Sequence, residues 1–500
     1  MPRLSEPVDD KTPLTASRID VAARIGWLLR IHRTVGGLSL REMSAALKDH
    51  GVSLSAATLS RIESEGQRSP AALDGYARVL GLPEGSLRAP VDTVCRTFPY
   101  APAAPPPPAS RSLDRFSRAY EAVDVADPTG GAWLELARQH ADDGGFGLPV
   151  TLMAPLVHRL CLETARSVRT ARFTRVEALV TLRLSAYDDL VDDVVRAVVS
   201  EPDSRNFWDV MDALTYRPTP SLLAWGGGLL SDPSVYRMRG ASYALQNMLV
   251  VGGLGLDDWS TVVPLVEAAW RDAGDDPERT GVLKQLWAAL PPPLQERYAG
   301  SCRPDPAPTS GPTVWVRTRQ NPHYVYAETL ARAACAQRGL ADEPMLARLL
   351  FEAMFDPRGV RMSAATLLLG CSPFGAAVVR PLLEEQDSCP DETSRVAATR
   401  VAAYCSTGED LPGVGRLLES PDGQEFLHGL TFVSRGERPL PDASLVRGLS
   451  GGEMSERRTL YALGMTGDPR LHGIEADRSL PTAVRGGARW WLEQGARIDV

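Results

Sequence analysis

The chain has 500 residues, 44% of them hydrophobic, and carries a formal net charge of −8 at pH 7. This length exceeds what one hydrophobic core can organise and predicts about two to four globular domains. The slightly acidic balance excludes binding to nucleic acid through a general basic field, so any such contact must depend on individual arginines.

Targeting patterns and cysteine usage indicate the cytoplasm. The opening residues, MPRLSEPVDDK, lack the apolar core of a secretion signal. No stretch approaches the run of about 18 apolar residues that crosses a membrane. The seven cysteines are scattered and never form a CxxC pair, which favours reduced thiols over disulfides or a zinc site. We therefore expect a cytoplasmic protein that makes no membrane contact and holds no metal or other cofactor.

The segment from residue 18 to 97 carries the spacing and cap patterns of four short helices. Apolar positions recur at helical spacing along the first helix, at Val21, Ile25, Leu28, Leu29 and His32. Gly36 and Gly37 end it. Ser39 then stands three residues before Glu42, which is the capping-box pattern that begins a second helix. The buried face of this second helix is predicted to contain Leu40, Met43 and Leu47.

A third and a fourth helix are predicted after a long connection. Either Ser53 or Ser55 can cap the third helix. Its inward positions are Leu59 and Ile62. Its outer side carries Ala56, Ala57, Ser60 and Arg61. Pro70 directly after Ser69 predicts the start of the fourth helix, because proline at the first helical position loses no hydrogen bond.

The order of these caps and apolar positions, with the segment TLSRIE, resembles the xenobiotic-response-element family of repressor-like helix-turn-helix domains. The resemblance covers about residues 18–90. It implies that the third helix enters the major groove of double-stranded DNA and that two helix N-termini hold phosphates. The positions implied at those termini are Ser39, Leu40, Arg41, Ser55, Ala56 and Ala57. The family also implies a structural ion pair between Arg33 and Glu63.

Two features depart from the family pattern. The connection from Lys48 to Leu54 is longer than the usual turn and leaves the register on DNA open. Ala56 and Ala57 replace longer polar groups and can offer only methyl contacts to thymine. Arg61 is therefore either the main base reader, worth roughly 1 to 3 kcal/mol of discrimination, or a phosphate contact. The other side chains expected at phosphates are Arg41, Ser60, Gln67 and Arg68.

Charge is distributed unevenly along the chain. Residues 1–97 hold thirteen Lys and Arg against eleven Asp and Glu, whereas the remainder holds forty-one against fifty-one. We expect modest, salt-sensitive affinity for DNA from the first part and none from the acidic remainder.

Composition divides the chain beyond the predicted DNA-binding domain, which spans residues 18–97. Residues 98–112 include the run PYAPAAPPPPA and predict an extended polyproline linker. A second break at 303–313 separates two helical segments, 113–302 and 314–500. These segments are rich in Ala, Leu, Val and Arg and show almost no strand pattern, so the predicted fold class is all-α.

Both segments repeat a motif of arginine followed by small and then larger apolar residues at a spacing of roughly thirty. The arginine anchors are Arg175, Arg205, Arg237, Arg361, Arg395, Arg458 and Arg485. The pattern over about residues 150–496 resembles HEAT-like repeats, which implies an α-solenoid of stacked helix pairs. We expect the anchors to tie one pair to acidic or carbonyl groups of the next. Aromatic residues that serve either as core or as ligand anchors are Trp225, Tyr236, Tyr243, Tyr324 and Tyr326.

No catalytic constellation is evident. Asp188, Asp189 and Asp192 have the spacing that holds magnesium in class I terpene synthases. The second metal motif of those enzymes is not apparent, and no nucleophile has a visible partner. We therefore expect a protein that is not an enzyme.

These patterns predict a sequence-specific DNA-binding transcriptional regulator that acts as a homodimer. Its helical-repeat body would serve dimerisation, sensing of a protein or small-molecule effector, or partner docking. The alternative is a helical-repeat scaffold or sensor in which the helix-turn-helix domain is secondary or acts as a protein adaptor.

Overall fold

The computed structural model describes residues 8–14, 18–98, 100, 112–141, 147–201, 207–297, 321–409 and 411–499. Helices and 3-10 turns make up 73% of the described residues. These residues contain no strand, only one isolated bridge between Ser167 and Ile498. The predicted all-α class is therefore confirmed. The predicted break at 303–313 and the anchor Arg205 lie outside the described residues. The predicted linker at 98–112 also lies outside them, apart from Phe98, Tyr100 and Ser112.

Five helices form the N-terminal unit, which we define as residues 18–98. They are α1 (Val21–Val35), α2 (Leu40–Asp49), α3 (Ala56–Glu65), α4 (Pro70–Val79) and α5 (Arg88–Thr97). Serine side chains cap α2, α3 and α4 at the positions predicted for helix starts, and Ser55 rather than Ser53 caps α3. Each such cap stabilises its helix by about 1 kcal/mol.

The first half of the body comprises residues 112–297. Its helices are α6 (Leu113–Val123), α7 (Gly130–Gln139), α8 (Val150–Ala165), α9 (Arg169–Arg183), α10 (Asp188–Ser200), α11 (Trp208–Thr215), α12 (Pro220–Gly228), α13 (Val235–Val251), α14 (Leu256–Ser260), α15 (Val263–Ala273), α16 (Pro277–Ala289) and α17 (Pro292–Arg297), with a 3-10 turn at Leu229–Ser231.

The second half comprises residues 321–499. Its helices are α18 (Pro322–Gln337), α19 (Pro344–Phe355), α20 (Gly359–Cys371), α21 (Gly375–Glu384), α22 (Glu392–Cys405), α23 (Pro412–Glu419), α24 (Gly423–Val433), α25 (Asp442–Ser450), α26 (Glu453–Thr466), α27 (Arg470–Ala476) and α28 (Thr482–Gln494), with a 3-10 turn at Glu385–Ser388. No single helix in the described ranges is long and apolar enough to cross a membrane, and α20 and α21 reach that composition only as a pair bent by 111°.

Within each half, helices pack against their neighbours and against helices further along. Contacts of the second kind include α7 with α9, α9 with α11, α11 with α13, α22 with α24, α24 with α26 and α26 with α28. Some arginines join segments about thirty residues apart. Arg470 donates to the carbonyl of Leu440 at 2.7 Å, and Arg447 donates to the carbonyl of Leu418 at 3.4 Å. These two ties span about the spacing of the sequence motif, although neither arginine is one of its predicted anchors.

Most of the predicted anchors have partners of the expected kind. Arg175 donates to Glu163 at 3.0 Å and to the carbonyl of Pro128 at 2.6 Å. The other tied anchors are Arg237 with the Glu201 carbonyl at 2.9 Å, Arg361 with Glu352 and Asp356, and Arg395 with Glu425 at 2.8 Å. Arg485 donates to Thr482 at 3.4 Å. Arg458 makes no such tie within the described ranges and lies 5.8 Å from the ring centre of Tyr461.

The N-terminal unit shares a hydrophobic core with α18–α22. Trp27 of α1 is fully buried and stacks on Phe374, with ring centroids 6.4 Å apart. Arg24 binds Glu352 at 2.7 Å, and the ring of His32 lies 2.8 Å from the carbonyl oxygen of Cys371. Helix α5 packs on α9 and α20. Helix α1 is therefore buried on nearly all sides, a packing that the sequence did not predict.

The two halves of the body also contact each other. Glu453 accepts a hydrogen bond from the backbone N–H of Val235 at 2.9 Å. The hydroxyls of Tyr243 and Ser363 lie 3.2 Å apart. Near the end of the chain, the N–H of Ile498 donates to the carbonyl of Arg166 at 3.0 Å. These contacts hold the inner helices of one half against those of the other.

Candidate nucleic-acid interface

The start of α2 is a capping box. The backbone N–H of Ser39 donates to Glu42 at 2.7 Å, and the N–H of Glu42 donates to the Ser39 hydroxyl at 3.2 Å. These two hydrogen bonds lower the pKa of Glu42. Within residues 18–98, the next backbone N–H groups, those of Leu40 and Arg41, meet no acceptor. The first turn of α2 therefore presents free donors, which is the arrangement that binds an anion.

The start of α3 repeats this arrangement. The hydroxyl of Ser55 accepts from the N–H of Thr58 at 3.1 Å. The N–H groups of Ala56 and Ala57 meet no acceptor in the described part of the N-terminal unit. Met43 and Leu47 of α2 and Leu59 and Ile62 of α3 are buried, as their spacing predicts.

Two glycines bring α3 very close to α1. A Cβ on Gly66, where φ is +61°, would lie 1.7 Å from the carbonyl oxygen of Ala22. A Cβ on Gly26 would lie 2.0 Å from the carbonyl oxygen of Glu63. Only glycine permits these approaches, because any side chain would overlap the opposing backbone. Sequence reasoning missed both residues, although a glycine inside a helical pattern such as that of α1 usually has a packing reason.

Arg33 and Glu63 form the ion pair that the family resemblance implies. The guanidinium donates to both carboxylate oxygens at 2.7 Å, and both side chains are buried. Burial alone would lower the pKa of Arg33, but the hydrogen bonds and charge of Glu63 outweigh it and raise that pKa. Tyr76 donates a further hydrogen bond to Glu63 at 2.9 Å. The pair thereby joins α1, α3 and α4.

The connection between α2 and α3, longer than the family's turn, is fixed by hydrogen bonds. The N–H of Val52 donates to the carbonyl of Leu47 at 2.8 Å, and the hydroxyl of Ser44 donates to the carbonyl of Leu54 at 2.6 Å. Gly51 has φ +77° and allows the turn after α2. The added length therefore packs back on α2 and is not a loose loop.

The outer residues of α2 and α3 are accessible. Arg41, Ala57, Ser60 and Arg61 are exposed, while other predicted contact residues are half-buried or exposed, namely Ser39, Leu40, Ser55 and Ala56. The guanidinium groups of Arg41 and Arg61 have no hydrogen-bond or ion-pair partner among the described residues. Helices α2 and α3 pack on α1 and α4, whereas the body packs on α1 and α5. The body therefore leaves this surface uncovered.

Gln67 and Arg68 differ from those two arginines because they already have protein partners. Arg68 donates from Nε to Asp92 at 2.8 Å, and its backbone N–H donates to the hydroxyl of Tyr100 at 2.8 Å. The amide of Gln67 donates to Glu65 at 2.6 Å. A phosphate would have to compete with Asp92 for Arg68.

The other features that the sequence singled out have structural partners. Asp188 pairs with Arg217 at 3.0 Å, and Asp192 pairs with Arg196 at 2.6 Å. No group of three or more His, Cys, Asp or Glu residues in the described ranges is arranged to hold a metal. Of the aromatic candidates, Tyr236, Tyr324 and Tyr326 are buried, whereas Trp225 and Tyr243 are half-buried.

The chain matches no protein-family model, and no curated protein matches it.

Proposed function

We propose that this protein is a sequence-specific DNA-binding transcriptional regulator that reads duplex DNA with the N-terminal ends of α2 and α3. The observation that carries the proposal is the pair of serine-capped helix starts with free N–H groups beside Arg41 and Arg61. Many buried arginines of this chain are tied to carboxylates, whereas these two cations are exposed and have no partner among the residues that the structure describes. The resemblance of residues 18–90 to repressor-like domains supports the same conclusion.

The side chains divide into two roles. The backbone donors at Leu40, Arg41, Ala56 and Ala57 and the side chain of Arg41 suit phosphates, which fix register without reading sequence. Arg61, on the exposed side of α3, suits a base edge, where a bidentate contact to guanine discriminates by roughly 1 to 3 kcal/mol. Ser60 adds a phosphate contact, and the alanines allow close approach to thymine methyl groups.

The regulator would act as a homodimer in the cytoplasm. One small helix-turn-helix reads few base pairs, so two copies are needed to bind half-sites about one helical turn apart. The reading helices and α18–α22 contribute to one hydrophobic core, to which α1 also belongs. An α-solenoid body would therefore set the distance between the two reading helices, and an effector that changes the body would change DNA affinity.

Binding of the full chain to its own promoter tests the proposal. A labelled duplex from that region is titrated with excess unrelated duplex at two salt concentrations. We expect specific binding that weakens with salt, and Arg61→Ala should reduce discrimination about 10- to 100-fold at one base position. Arg271→Ala, an exposed arginine on α15 of the body, is the matched control and should change nothing. Absence of any specific complex contradicts the proposal.

A second candidate is a helical-repeat scaffold or sensor in which the N-terminal unit is an adaptor. It is favoured by the core shared between α1–α5 and α18–α22, which makes the unit a structural part of the body. Under this alternative the promoter would not be bound, while substitutions on α2 and α3 would affect association with a protein partner.

A further inference from the structure

Asp92 on α5 is shared by three arginines from different parts of the chain. Arg68, between α3 and α4, donates to Oδ1 of Asp92 from Nε at 2.8 Å, and its Nη2 lies 2.7 Å from the same oxygen. Arg88 of α5 and Arg138 of α7 each lie 3.7 Å from Oδ2. We call these four residues the Asp92 cluster. It joins the N-terminal unit to the first half of the body, and it includes a residue that the sequence predicts at a phosphate.

Two arginines of the Asp92 cluster have N–H groups without an acceptor. Nε of Arg88 and Nη2 of Arg138 are buried and have no hydrogen-bond partner among the described residues. Their distance of 3.7 Å to Oδ2 of Asp92 is too long for a hydrogen bond. A buried charged donor that lacks an acceptor destabilises the fold. Both groups would therefore gain if the Asp92 carboxylate turned towards them.

Arg138 has the greater need of a counter-ion. Arg88 already pairs with Asp74 through Nη1 at 2.9 Å, whereas no carboxylate in the described ranges lies closer to Arg138 than Asp92. Burial lowers the pKa of Arg138, and the charge of Arg88 lowers it further. The carboxylate that would satisfy Arg138 is thus the one that Arg68 holds.

Arg68 can leave Asp92 without a change of backbone. Its side chain is 38% exposed, so water or an anion can replace the carboxylate at its guanidinium. Its backbone N–H donates to the hydroxyl of Tyr100 at 2.8 Å, and this hydroxyl donates to the carbonyl of Gly66 at 3.0 Å. Exchange of Asp92 for another anion therefore requires only rotation of side chains.

Helix α7 is positioned to control this exchange because it packs against the turn before α5. A Cβ on Gly85 would lie 3.0 Å from the side chain of Leu134, and a Cβ on Gly131 would lie 2.6 Å from that of Glu84. A displacement of α7 relative to α5 changes the distance between Arg138 and Asp92. A movement of about 1 Å brings Nη2 of Arg138 within hydrogen-bond distance of Oδ2.

We propose that Asp92 is an exchangeable counter-ion that withholds Arg68 from DNA until α7 approaches α5. Without an effector, Asp92 stays on Arg68, as in the structure. When an effector of the body moves α7, the carboxylate turns to Arg88 and Arg138, and Arg68 is released to a phosphate of the duplex. This inference rests on the proposed function and supplies the contact through which the body changes DNA affinity.

Thermal unfolding of the full chain tests the exchange of partners without DNA. If Asp92 turns to Arg138 once Arg68 is absent, Arg138→Gln should lower the midpoint about twice as much or more in an Arg68→Gln background as in the unaltered chain. The matched control is Arg115→Gln, which breaks the pair between α6 and Glu135 of α7 and should have the same effect in both backgrounds. Equal losses for Arg138→Gln in the two backgrounds overturn the proposal.

Promoter titrations at several salt concentrations test the release of Arg68. Asp92→Asn removes the counter-ion, so the slope of log K against log salt should steepen by about 0.9, and adding Arg68→Gln should restore the original slope. Asp49→Asn removes the same charge at an exposed position of α2, and adding Arg68→Gln to it should change nothing.

The two tests separate this inference from the proposed function. A specific complex whose salt slope is unchanged in Asp92→Asn overturns the role of Asp92 alone. Absence of a specific complex in every variant contradicts the proposed function, while the thermal result still decides whether Asp92 changes partners. The thermal test keeps Asp92 in place, so it also decides the question if Asp92→Asn does not fold.

Discussion

The arginines of the α2–α3 surface and those where α1 meets the body have opposite environments. Arg41 and Arg61 are exposed and have no partners in the described ranges, whereas Arg24 is fully buried between Asp10 and Glu352, at 2.9 and 2.7 Å. A buried ion pair specifies one geometry because breaking it leaves an unpaired charge. An exposed cation is free to exchange water for a ligand. The same residue type thus fixes architecture in one place and supplies binding capacity in the other.

Disrupting the buried ion-pair network between α1 and the body should cause the largest loss of stability. Glu352 binds Arg24, Arg348 and Arg361 and is fully buried. Burial raises its pKa, but the three guanidinium charges outweigh this and hold it below the usual value. Glu352→Gln should therefore lower the free energy of unfolding by about 3 to 5 kcal/mol in urea titrations. Glu392→Gln, at an exposed pair, should cost less than about 1 kcal/mol. Equal losses of stability in the two variants would contradict the contrast between the buried and the exposed ion pairs.

Disrupting the close approach of α3 to α1 should cause the next largest loss of stability. Gly66 and Gly81 have similar left-handed conformations, with φ +61° and +64°, but only Gly66 faces opposing backbone. Gly81→Ala should cost only the conformational penalty of about 1 to 2 kcal/mol. Gly66→Ala adds a clash with Ala22 and should cost about 3 kcal/mol more in chemical denaturation. Similar losses in both variants would show that the close approach does not position α3.

The buried His32 should make the attachment of α1 sensitive to acid. Its ring lies 2.8 Å from the carbonyl oxygen of Cys371, and burial lowers its pKa to about 4. Because the unfolded chain takes up a proton near pH 6.5 and the folded chain does not, stability falls as pH drops from about 6.5 towards 4. Between pH 7 and pH 5 this histidine should account for a loss of about 2 kcal/mol.

His32→Gln tests this contribution, because an amide can still donate to the Cys371 carbonyl but does not titrate. Urea titrations at pH 7 and pH 5 should show a smaller loss for the variant than for the unaltered chain. Burial also lowers the pKa values of His140 and His428 to about 4. Both residues remain in the variant, so part of the dependence of stability on pH remains. An unchanged difference between the two pH values would exclude His32 as a contributor.

Local features of the fold were predictable from the sequence. Ser39, Ser55 and Ser69 cap their helices because a short polar side chain before an apolar periodic run satisfies free N–H groups. The all-α class followed from helical spacing throughout the chain. The ties made by Arg175 and Arg395 followed from a repeat that must join neighbouring helix pairs. These features depend on residues close in sequence or at a fixed period.

The attachment of α1 to the body was not predictable in this way. It depends on contacts separated by more than three hundred residues, such as Arg24 with Glu352. Arg24 and Arg30 are not part of the apolar stripe predicted for α1, yet both are buried against carboxylates of the body. Pairing of charge in the interior cannot be seen from one helix alone. The residues assigned to DNA on α2 and α3 remain predictions.

The smallest predicted effects concern two arginines on the α2–α3 side. One is paired with a carboxylate, and the other has no side-chain partner among the described residues. Arg68 is held by Asp92 at 2.7 Å, whereas Arg41 has no side-chain partner among the described residues. If Arg41 neutralises one phosphate, Arg41→Ala should reduce the slope of log K against log salt by about 0.9 and leave the free energy of unfolding unchanged. Arg68→Ala should do the reverse, costing at most about 1 kcal/mol of stability with the salt slope intact, because its charge already has a counter-ion. Promoter titrations at several salt concentrations, paired with urea unfolding, measure both quantities. A reduced slope in Arg68→Ala would mean that DNA displaces Asp92, and the surface would then extend beyond α2 and α3 to the start of α4.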